Sequence, residues 1–328
     1  MTTLAAIVVT YNRLDQLKIT VARLLAEGPE HLIVVDNASR SETGDWLESQ
    51  TDPRLHVVRL AENMGGAGGF EAGMAAARER FDPDWMVLMD DDARPAEGSF
   101  DAFRALPEAH AGGPQVIAAA VTFPDGDICE MNRPGWNPFW HGDLFWKTIR
   151  GGTRTGFKVA DRAIVNAQET AVTEIDVASF VGFFVNRAAI DRAGLPEGGL
   201  FIYGDDVLYS LRLRRAGVPF ALRSDIRFEH DCKTMGTGFV YRPLWKVYYH
   251  CRNGVSIARQ SAGLLVFPLA LAYYLQNWWR KGRYYEGEER RLYRRLLLKG
   301  VWDGLWRRRG RNDEVHQMVE LAQARGAV

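Results

Sequence analysis

The sequence contains little cysteine and no excess of charge of either sign. Its 328 residues include three cysteines, Cys129, Cys232 and Cys251, and their wide spacing matches neither a disulfide framework nor a metal-binding motif. The 41 basic residues are balanced by 41 acidic ones, so the net charge gives no reason to expect a nucleic-acid partner. With 47% hydrophobic residues, the composition indicates an ordinary globular protein of a reducing compartment.

A secretory signal and a long uninterrupted apolar run are also missing. The first residues, MTTLAAIVVTYNR, have no basic segment before the apolar one and are typical of a first strand. The stretch 261–279 contains about fifteen consecutive apolar residues interrupted by Pro268, whereas a membrane-spanning helix needs roughly twenty. We therefore expect a cytoplasmic protein whose chain does not cross the membrane.

Continuous apolar runs alternate with helical periodicity over the first 120 residues. The runs predict strands at 4–10, 31–36, 55–60 and 85–90, and the periodic stretches predict helices at 14–26 and about 69–80. Continuous apolar strands separated by helices are typical of a parallel sheet that is covered on both faces.

A polar cluster follows each predicted strand. The four clusters are TYNR (10–13), DNAS (36–39), ENMGGAGGF (62–70) and DDDA (90–93). Ligands of parallel sheets bind beyond the carboxyl ends of the strands, so this placement predicts a binding site. Four glycines just before a helix suit a backbone that approaches a phosphate or sugar, although a flexible turn is the simpler alternative. The pattern is neither a dinucleotide-binding nor a P-loop fingerprint.

Three adjacent aspartates, Asp90, Asp91 and Asp92, end the fourth predicted strand. Neighbouring carboxylates repel one another by roughly 1 to 4 kcal/mol per pair, so a cation is expected beside them. Alternate residues of an extended segment can direct two carboxylates at one ion, and oxygen ligands suit Mg²⁺ or Mn²⁺. A solvated charged turn is the alternative.

Taken together, these segments resemble family 2 glycosyltransferases. The match extends through SFVGFFVNRAAIDRAGL (179–195) and FIYGDDVLYSLRLRRAG (201–217) and covers about residues 1–235. The GGAGGF motif with DDD is similar to bacterial galactofuranosyltransferases and related rhamnosyltransferases. The resemblance implies an α/β protein with the GT-A nucleotide-sugar-binding fold, whose central sheet is mainly parallel. It also implies an inverting, metal-dependent sugar transfer, best from UDP-galactofuranose, to a lipid-linked cell-envelope glycan.

The resemblance also implies roles for the acidic residues. Asp90, Asp92 and His230 of RFEHD would hold Mn²⁺ or Mg²⁺, and Asp231 would support the histidine. Asp206 of GDD would be the base that takes the acceptor proton, with Asp205 orienting the acceptor. Two acids at the start of a helix could also simply stabilise its dipole.

Further residues are expected to contact the two substrates. The donor nucleotide sugar would be bound by Thr10, Tyr11, Asn12, Arg13, Asp36, Asn63, Gly65, Gly66 and Asp91. The acceptor would contact Gly182, Phe183, Trp136 and Trp140. Asp36 could instead form an Asx turn, and tryptophans also cap hydrophobic cores.

The last part of the chain, 236–328, differs from the first 235 residues. It is predicted to be helical, and Lys281 to Arg311 carry eleven basic and four acidic residues among many aromatics. Such helices suit an anionic membrane surface, which predicts a peripheral enzyme at the inner face of the cell membrane. Packing on the catalytic domain or on a second subunit is the alternative. The catalytic domain itself would comprise a nucleotide-binding half, about 1–120, and an acceptor half, 121–235.

Three other functions remain open at this stage. A rhamnosyltransferase would use a dTDP-sugar instead of a UDP-sugar. A non-catalytic nucleotide-sugar-binding partner would lack turnover, which the complete set of acids and His230 argues against. A nucleotidyltransferase would need a basic phosphate-binding loop near the first strand, where only Arg13 is present. The released product, nucleoside diphosphate or pyrophosphate, distinguishes these classes.

Overall fold

The computed structural model describes residues 2–151, 154–165, 172–232 and 240–325. The predicted domain boundary at 235/236 lies outside these residues. The strands are β1 Leu4–Thr10, β2 His31–Asp36, β3 Leu55–Arg59, β4 Trp85–Asp90, β5 Ala93–Pro95, β6 Val116–Thr122, β7 Val172–Glu174, β8 Phe183–Asn186 and β9 Phe220–His230. The helices are α1 Leu14–Glu27, α2 Ser41–Glu48, α3 Gly65–Phe81, α4 Ser99–Arg104, α5 Gly142–Gly151, α6 Asp161–Val165, α7 Arg187–Ala193, α8 Asp205–Arg215, α9 Trp245–Lys281, α10 Gly287–Leu305 and α11 Asp313–Ala324.

One mixed sheet organises the part of the chain from β1 to β9. Its order is β3-β2-β1-β4-β8-β6-β9-β5, and β7 pairs with β9. The ladders among β1, β2, β3 and β4 are parallel, as is the long β6–β9 ladder. The antiparallel ladders, which involve β5, β7 and β8, contain only three or four residue pairs each. The expectation of a mainly parallel α/β sheet is therefore confirmed.

Both faces of the sheet are covered. In β1, Ile7 and Val9 belong to the core cluster under α3, whereas Ala6 and Val8 belong to the cluster under α1. Successive residues of a strand point to opposite faces, so a strand buried on both sides must be apolar throughout. All seven residues of β1 are buried, as the continuous apolar run predicted.

The third predicted motif differs from its expected conformation. Helix α3 begins at Gly65 instead of near residue 69, so most of the glycine cluster is helical. A Cβ at Gly69 would lie 2.4 Å from Val9 Cγ1, and one at Gly73 would lie 2.6 Å from Ile7 Cγ2. These glycines therefore let α3 pack closely against the sheet.

The C-terminal helices form a separate core cluster that also includes Phe201. Within α9 the helix is broken at Gly263, whose φ of 72° and ψ of 169° are not helical. Many side chains before the break are buried, whereas most of those just after it are exposed. The helical segment Trp245–Tyr284, 40 residues long, is apolar enough to cross a membrane by length and composition alone. That length exceeds the short apolar run considered in the sequence.

Candidate active site

The polar clusters at the ends of β1 and β2 contact each other. Asn12 has a φ of 56°, and its side-chain Oδ1 accepts a hydrogen bond of 2.9 Å from the backbone N–H of Arg40. The backbone N–H of Asn12 in turn donates to Ser39 Oγ. Asparagine tolerates the left-handed conformation better than most residues. These contacts fix the loop 10–13 against the loop 36–40 at the carboxyl edge of the sheet.

The cluster after β3 joins the same edge. Asn37 donates to Asn63 Oδ1 and to the carbonyl of Gly65, at 3.2 and 2.9 Å, and accepts from the N–H of Met64. Asp36 accepts from the N–H of Ser39 at 2.9 Å, which is the Asx-type turn considered for it. The expected convergence of the strand ends is present, and Asn63 lies within it.

The middle aspartate of the DDD motif is oriented by β1 and α1. The hydroxyl of Thr10 donates to Asp91 Oδ2 at 2.8 Å, and Thr20 donates to the Asp91 carbonyl at 2.7 Å. Thr10 and Asp91 are both buried. In this conformation the hydrogen bond between Thr10 and Asp91 holds the acidic segment 90–92 against β1.

The outer aspartates meet His230 from β9. One ligand atom from each of Asp90, Asp92 and His230 lies within 4.8 Å of the others. His230 Nε2 lies 3.1 Å from Asp92 Oδ1, and Nδ1 lies 2.7 Å from Asn132 Oδ1. The β5–β9 ladder, in which Ala93 pairs with His230, brings the histidine to the aspartates. Two carboxylates and one imidazole form a donor set that fits Mn²⁺.

The electrostatics of this group indicate a site that needs a cation. Burial, together with the charge of Asp92, raises the pKa of Asp90 to about 7. Burial lowers the pKa of His230, but its hydrogen bonds to Asp92 and Cys129 and the charge of Asp90 outweigh this and raise it to about 10. Asp90 is partly exposed.

Arg13 supplies a further positive charge. Its guanidinium pairs with Asp92 and lies 3.4 Å from Asp91 Oδ1. Arg13, Asn12, Arg40 and Asp92 line a cleft of about 510 Å³ at the edge of the sheet. Tyr11, in the same loop as Arg13, is exposed. Arg13 is thus tied to the acidic segment at the wall of a cleft that is open to a ligand.

The GDD motif approaches this edge through the glycine cluster. Gly65 has a φ of 72°, and a Cβ there would lie 1.9 Å from the Phe201 carbonyl oxygen. The N–H of Ala67 donates to that oxygen at 3.2 Å. Gly65 is therefore required by the approach of a protein backbone, not by a phosphate, while Gly66 faces open space.

Asp205 and Asp206 form the first turn of α8, after Gly204 with a φ of 79°. Burial raises the pKa of both carboxyls, and the charges of Asp206 and Asp90 raise that of Asp205 further. The influence of the Asp90 charge on the pKa of Asp205 indicates that the GDD acids lie near the candidate metal ligands. This arrangement combines a candidate metal site with a carboxyl whose pKa suits proton transfer near neutrality.

Two buried residues of α9, which sequence reasoning missed, hold the loop before GDD. The Asn253 amide donates to the carbonyls of Leu200, Ile202 and Tyr203 at 2.8–3.0 Å. Arg252 donates to the Leu200 carbonyl at 2.9 Å. Phe201 and Tyr203 have φ values of 65° and 70°, an uncommon conformation that needs such support. Polar residues inside an apolar helix were the available sequence signal.

Lys246, at the start of α9, was also missed. Burial lowers its pKa, and the positive charge of Arg13 lowers it further. That influence indicates that the two cations lie near each other, so the C-terminal region contributes a positive charge near the cleft that Arg13 lines.

The structure corrects three expected contacts. Phe183 is 0% exposed within β8 and packs in the core against Phe180 and Phe220, so its side chain does not reach an acceptor. Gly182 is also buried, and it packs so closely against β6 that a Cβ there would lie 2.6 Å from Ala119 Cβ. Asp231 does not support His230; its carboxylate accepts from Gln16 at 3.0 Å.

The two tryptophans expected to contact the acceptor have different environments. Trp136 packs against the core and donates to the Glu174 carbonyl at 2.7 Å, so it caps the core. Trp140 is more exposed, and the Arg215 guanidinium lies 5.8 Å from its ring centroid. Trp140 remains available for a sugar.

Comparisons with known proteins agree with this geometry. Residues 5–166 match the family described as Glycosyl transferase family 2. Galactofuranosyltransferase GlfT1 of Mycolicibacterium smegmatis is 29% identical over 233 residues, which are 70% of this chain and 71% of that protein.

Solved structures share the fold. Residues 1–349 of S. aureus TarS, in complex with UDP-GlcNAc, superpose with a TM-score of 0.53 at 15% identity, covering 99% of this chain and 92% of that one. Mannosyltransferase PcManGT from Pyrobaculum calidifontis, in complex with GDP-Man and Mn²⁺, gives 0.52 at 15% identity, covering 92% and 87%. The GT-A fold and the four strand-end motifs agree with these relatives: residues 5–166 form a Glycosyl transferase family 2 domain, and the protein is a glycosyltransferase.

Proposed function

We propose that this enzyme transfers galactofuranose from UDP-galactofuranose to a lipid-linked cell-envelope glycan, with inversion at the anomeric carbon. One observation carries the proposal: the ligand atoms of Asp90, Asp92 and His230 lie within 4.8 Å of one another, and Asp205 of the GDD motif is near enough for the charge of Asp90 to raise its pKa. The 29% identity to a galactofuranosyltransferase supports the donor sugar.

Asp90, Asp92 and His230 would hold the divalent cation, with Mn²⁺ favoured by the imidazole ligand. When bound, the cation offsets the negative charge that develops on the leaving diphosphate. Thr10 and Thr20 keep the intervening Asp91 turned back toward β1 and α1, so the outer carboxylates remain directed at one point. The acidic segment is therefore preorganised by the sheet.

Asp206 is the proposed base. Its burial raises its pKa, which makes the carboxylate a better proton acceptor for a sugar hydroxyl. Asp205, beside it on the first turn of α8, would orient the acceptor hydroxyl. The partly exposed Trp140 is the proposed acceptor-stacking residue.

Arg13 and Lys246 are the proposed cationic contacts of the donor diphosphate. Arg13 lines the cleft, and Lys246 is close enough for the charge of Arg13 to lower its pKa. Tyr11, Asn12, Asp36, Asn63 and Gly66 would contact the nucleoside or donor sugar from the adjoining strand ends. Arg13 would exchange part of its pairing with Asp92 for the diphosphate.

The second half of α9 is the proposed attachment to an anionic membrane surface. Leu264, Leu265 and Leu269 are 79%, 96% and 75% exposed. Arg280, Arg283, Arg290 and Arg294 line a concave surface with Trp279 at the far end of the helix. Exposed leucines with nearby arginines and tryptophan suit the headgroup region, and a lipid-linked acceptor is found there. Trp245 to Ser261 supply many buried side chains and stay with the protein.

A donor screen tests the proposed reaction. The purified enzyme with Mn²⁺ is incubated with UDP-galactofuranose, dTDP-rhamnose or UDP-GlcNAc and a lipid extract of cell membranes, and released nucleoside diphosphate is measured. We expect UDP release that depends on UDP-galactofuranose and on the lipid extract. Turnover with dTDP-rhamnose alone would make the enzyme a rhamnosyltransferase. Nucleotide-sugar binding without turnover would indicate a binding partner. In a separate assay with a nucleoside triphosphate and a sugar 1-phosphate, release of pyrophosphate would indicate a nucleotidyltransferase.

A further inference from the structure

Two cysteines lie behind the candidate metal ligand His230. Cys129 Sγ is 4.0 Å from Cys232 Sγ and 3.9 Å from His230 Nδ1. One ligand atom from each of the three residues lies within 4.8 Å of the others. The sequence separation of 103 residues between the cysteines gave no sign of this group.

The distances fit a tetrahedral metal site. With metal–sulfur bonds of about 2.3 Å and a metal–nitrogen bond of about 2.0 Å, two sulfurs lie about 3.8 Å apart and a sulfur and a nitrogen about 3.5 Å apart. The observed 4.0 and 3.9 Å are within a few tenths of an ångström of these values. Two thiolates and an imidazole are the ligands that Zn²⁺ prefers over Mn²⁺ or Mg²⁺.

The surroundings already hold these ligands in place. The loop that carries Cys129 is fixed by the bond from its N–H to the Val121 carbonyl, at 3.2 Å. Asn132 Oδ1 lies 2.9 Å from Cys129 Sγ and 2.7 Å from His230 Nδ1, so it adjoins the remaining coordination position. Cys129 and His230 are buried, and Cys232 is partly exposed, which gives an ion a way in.

A neutral imidazole has one nitrogen lone pair, so His230 can serve one ion at a time. When Nε2 serves the Asp90–Asp92 side, Nδ1 carries the proton and donates it to Asn132 Oδ1, 2.7 Å away. When Nδ1 serves the cysteine side, Nε2 carries the proton and donates it to Asp92 Oδ1, 3.1 Å away. Each tautomer therefore has a hydrogen-bond partner for its N–H group. Because the neutral ring offers only one lone pair, His230 cannot serve both metal sites at once.

We propose that Cys129, Cys232 and His230 Nδ1 form a second metal site, for Zn²⁺ or another thiophilic ion, and that its occupancy withdraws His230 from Asp90 and Asp92. The binding part of this inference is independent of the proposed reaction. Its consequence, inhibition of a Mn²⁺-dependent transferase by zinc, rests on the proposed function.

Cobalt spectroscopy tests the site directly. Metal-free, full-length enzyme in a phosphine reductant is titrated with Co²⁺, whose thiolate complexes absorb strongly in the near ultraviolet. We expect a sulfur-to-cobalt band in the wild type and in Cys251→Ala, which changes the third cysteine, buried in the C-terminal core. The band is lost in Cys129→Ser and Cys232→Ser. Mutation of a residue that only hydrogen-bonds to a metal ligand typically weakens metal binding by roughly 10- to 100-fold, so loss of a ligand itself should weaken Co²⁺ binding by at least that much.

Alkylation of the wild type provides a measurement that needs no variant. Zn²⁺ should protect Cys232 from iodoacetamide, read by mass spectrometry, while Mg²⁺ should not. Absence of a thiolate band in the reduced wild type, an equal band in Cys129→Ser, or unprotected Cys232 overturns the second site.

The activity arm separates the two hypotheses. With saturating Mn²⁺, Zn²⁺ should inhibit the wild type and Cys251→Ala about tenfold more strongly than Cys232→Ser. Equal inhibition of all three would show that a zinc site, if seen by cobalt, does not control His230. If transfer itself is absent, the proposed function fails, and the cobalt spectra still decide the metal site.

Discussion

The carboxyl edge of β1, β2 and β4 and the helices α9 to α11 contribute to the active site in different ways. At the sheet edge, each proposed functional side chain lies within a few residues of the strand that places it, as Asp90 and Asp92 do at the end of β4. In the helical region, Asn253 acts about fifty residues away in sequence, by holding the carbonyls of Leu200, Ile202 and Tyr203. Local geometry presents the chemistry, and remote packing fixes the loop that completes it.

The strand ends and the loop before α8 also differ in what stabilises their backbone conformation. At the strand ends, the positive φ of Asn12 is supported by hydrogen bonds to the neighbouring loop 36–40, and the sheet that is buried on both faces holds both loops. The loop before α8 contains Phe201 and Tyr203 with positive φ, each of which costs on the order of 1 kcal/mol. The two N–H groups of the buried Asn253 amide, shared among three carbonyls, offset this at roughly 0.5–1.5 kcal/mol per hydrogen bond. Changes in the two regions should therefore have different signatures.

The largest effect is expected at the sheet edge. Asp92→Ala should lower turnover by about 10³-fold, because it removes a proposed metal ligand and the partner of His230. EDTA should have the same effect on the wild type, and Mn²⁺ should restore activity. The control is Asp231→Asn, which lines the same cleft but contacts Gln16 and Arg94 instead. Full turnover in metal-free buffer would contradict the assignment.

At the junction of the two regions, Asp206→Asn should lower turnover by about 10²- to 10⁴-fold, because the acceptor proton loses its base. UDP affinity, measured by calorimetry, should change little, since the donor contacts lie at the strand ends. Asp205→Asn serves as the comparison and should cost less. If Asp206→Asn remains active while Asp205→Asn does not, the base is Asp205.

The exposed part of α9 should matter only at a membrane. Leu264→Ser with Leu265→Ser should weaken binding to anionic vesicles by about tenfold or more, because each leucine loses apolar burial. Folding should be unaffected, since the side chains are 79% and 96% exposed. Co-sedimentation with salt titration gives the measurement, and Leu321→Ser on α11 is the exposed control. Equal retention of all variants, or none by the wild type, would favour a protein partner for this surface.

Asn253→Ala tests remote support of the loop. We expect the free energy of unfolding to fall by about 1–3 kcal/mol and turnover to fall several-fold, because the carbonyls of Ile202 and Tyr203 lose the Asn253 amide while that of Leu200 keeps the hydrogen bond from Arg252. Mn²⁺ affinity should not change. Asn312→Ala, which removes the cap of α11, should cost about 1 kcal/mol of stability without altering turnover. Identical kinetic losses in both variants would mean that turnover follows stability alone.

The smallest effect is a pH dependence. Burial raises the pKa of Asp206 to about 6, above the ordinary aspartate value of about 4. A base must be deprotonated to act, so turnover should fall as the pH is lowered through about 6 and be regained as it rises. Turnover is measured at saturating Mn²⁺ and donor. An acidic limb near pH 4 would show that the residue ionises as an exposed carboxyl does.

Much of the first region was predictable because its physics is local. Continuous apolar runs gave β1, β2 and β4, and the parallel sheet follows from their alternation with helices. The approach of His230 to Asp92 was expected from a family resemblance only. The prediction that the helix begins near residue 69, after the glycine cluster, was wrong. The spacing of glycines does not reveal whether a bound phosphate or a neighbouring part of the protein approaches the backbone.

The sequence by itself determined the α/β sheet, the polar strand ends, and the acidic pairs Asp90–Asp92 and Asp205–Asp206, because periodicity and adjacency are properties of neighbouring residues. Only the tertiary structure decided that Phe183 lies in the core, that Asn253 holds the loop before Asp205 and Asp206, and that Cys129 and Cys232 meet beside His230. These are contacts between residues far apart in the chain. They depend on how β8, β9 and α9 pack, which no local pattern specifies.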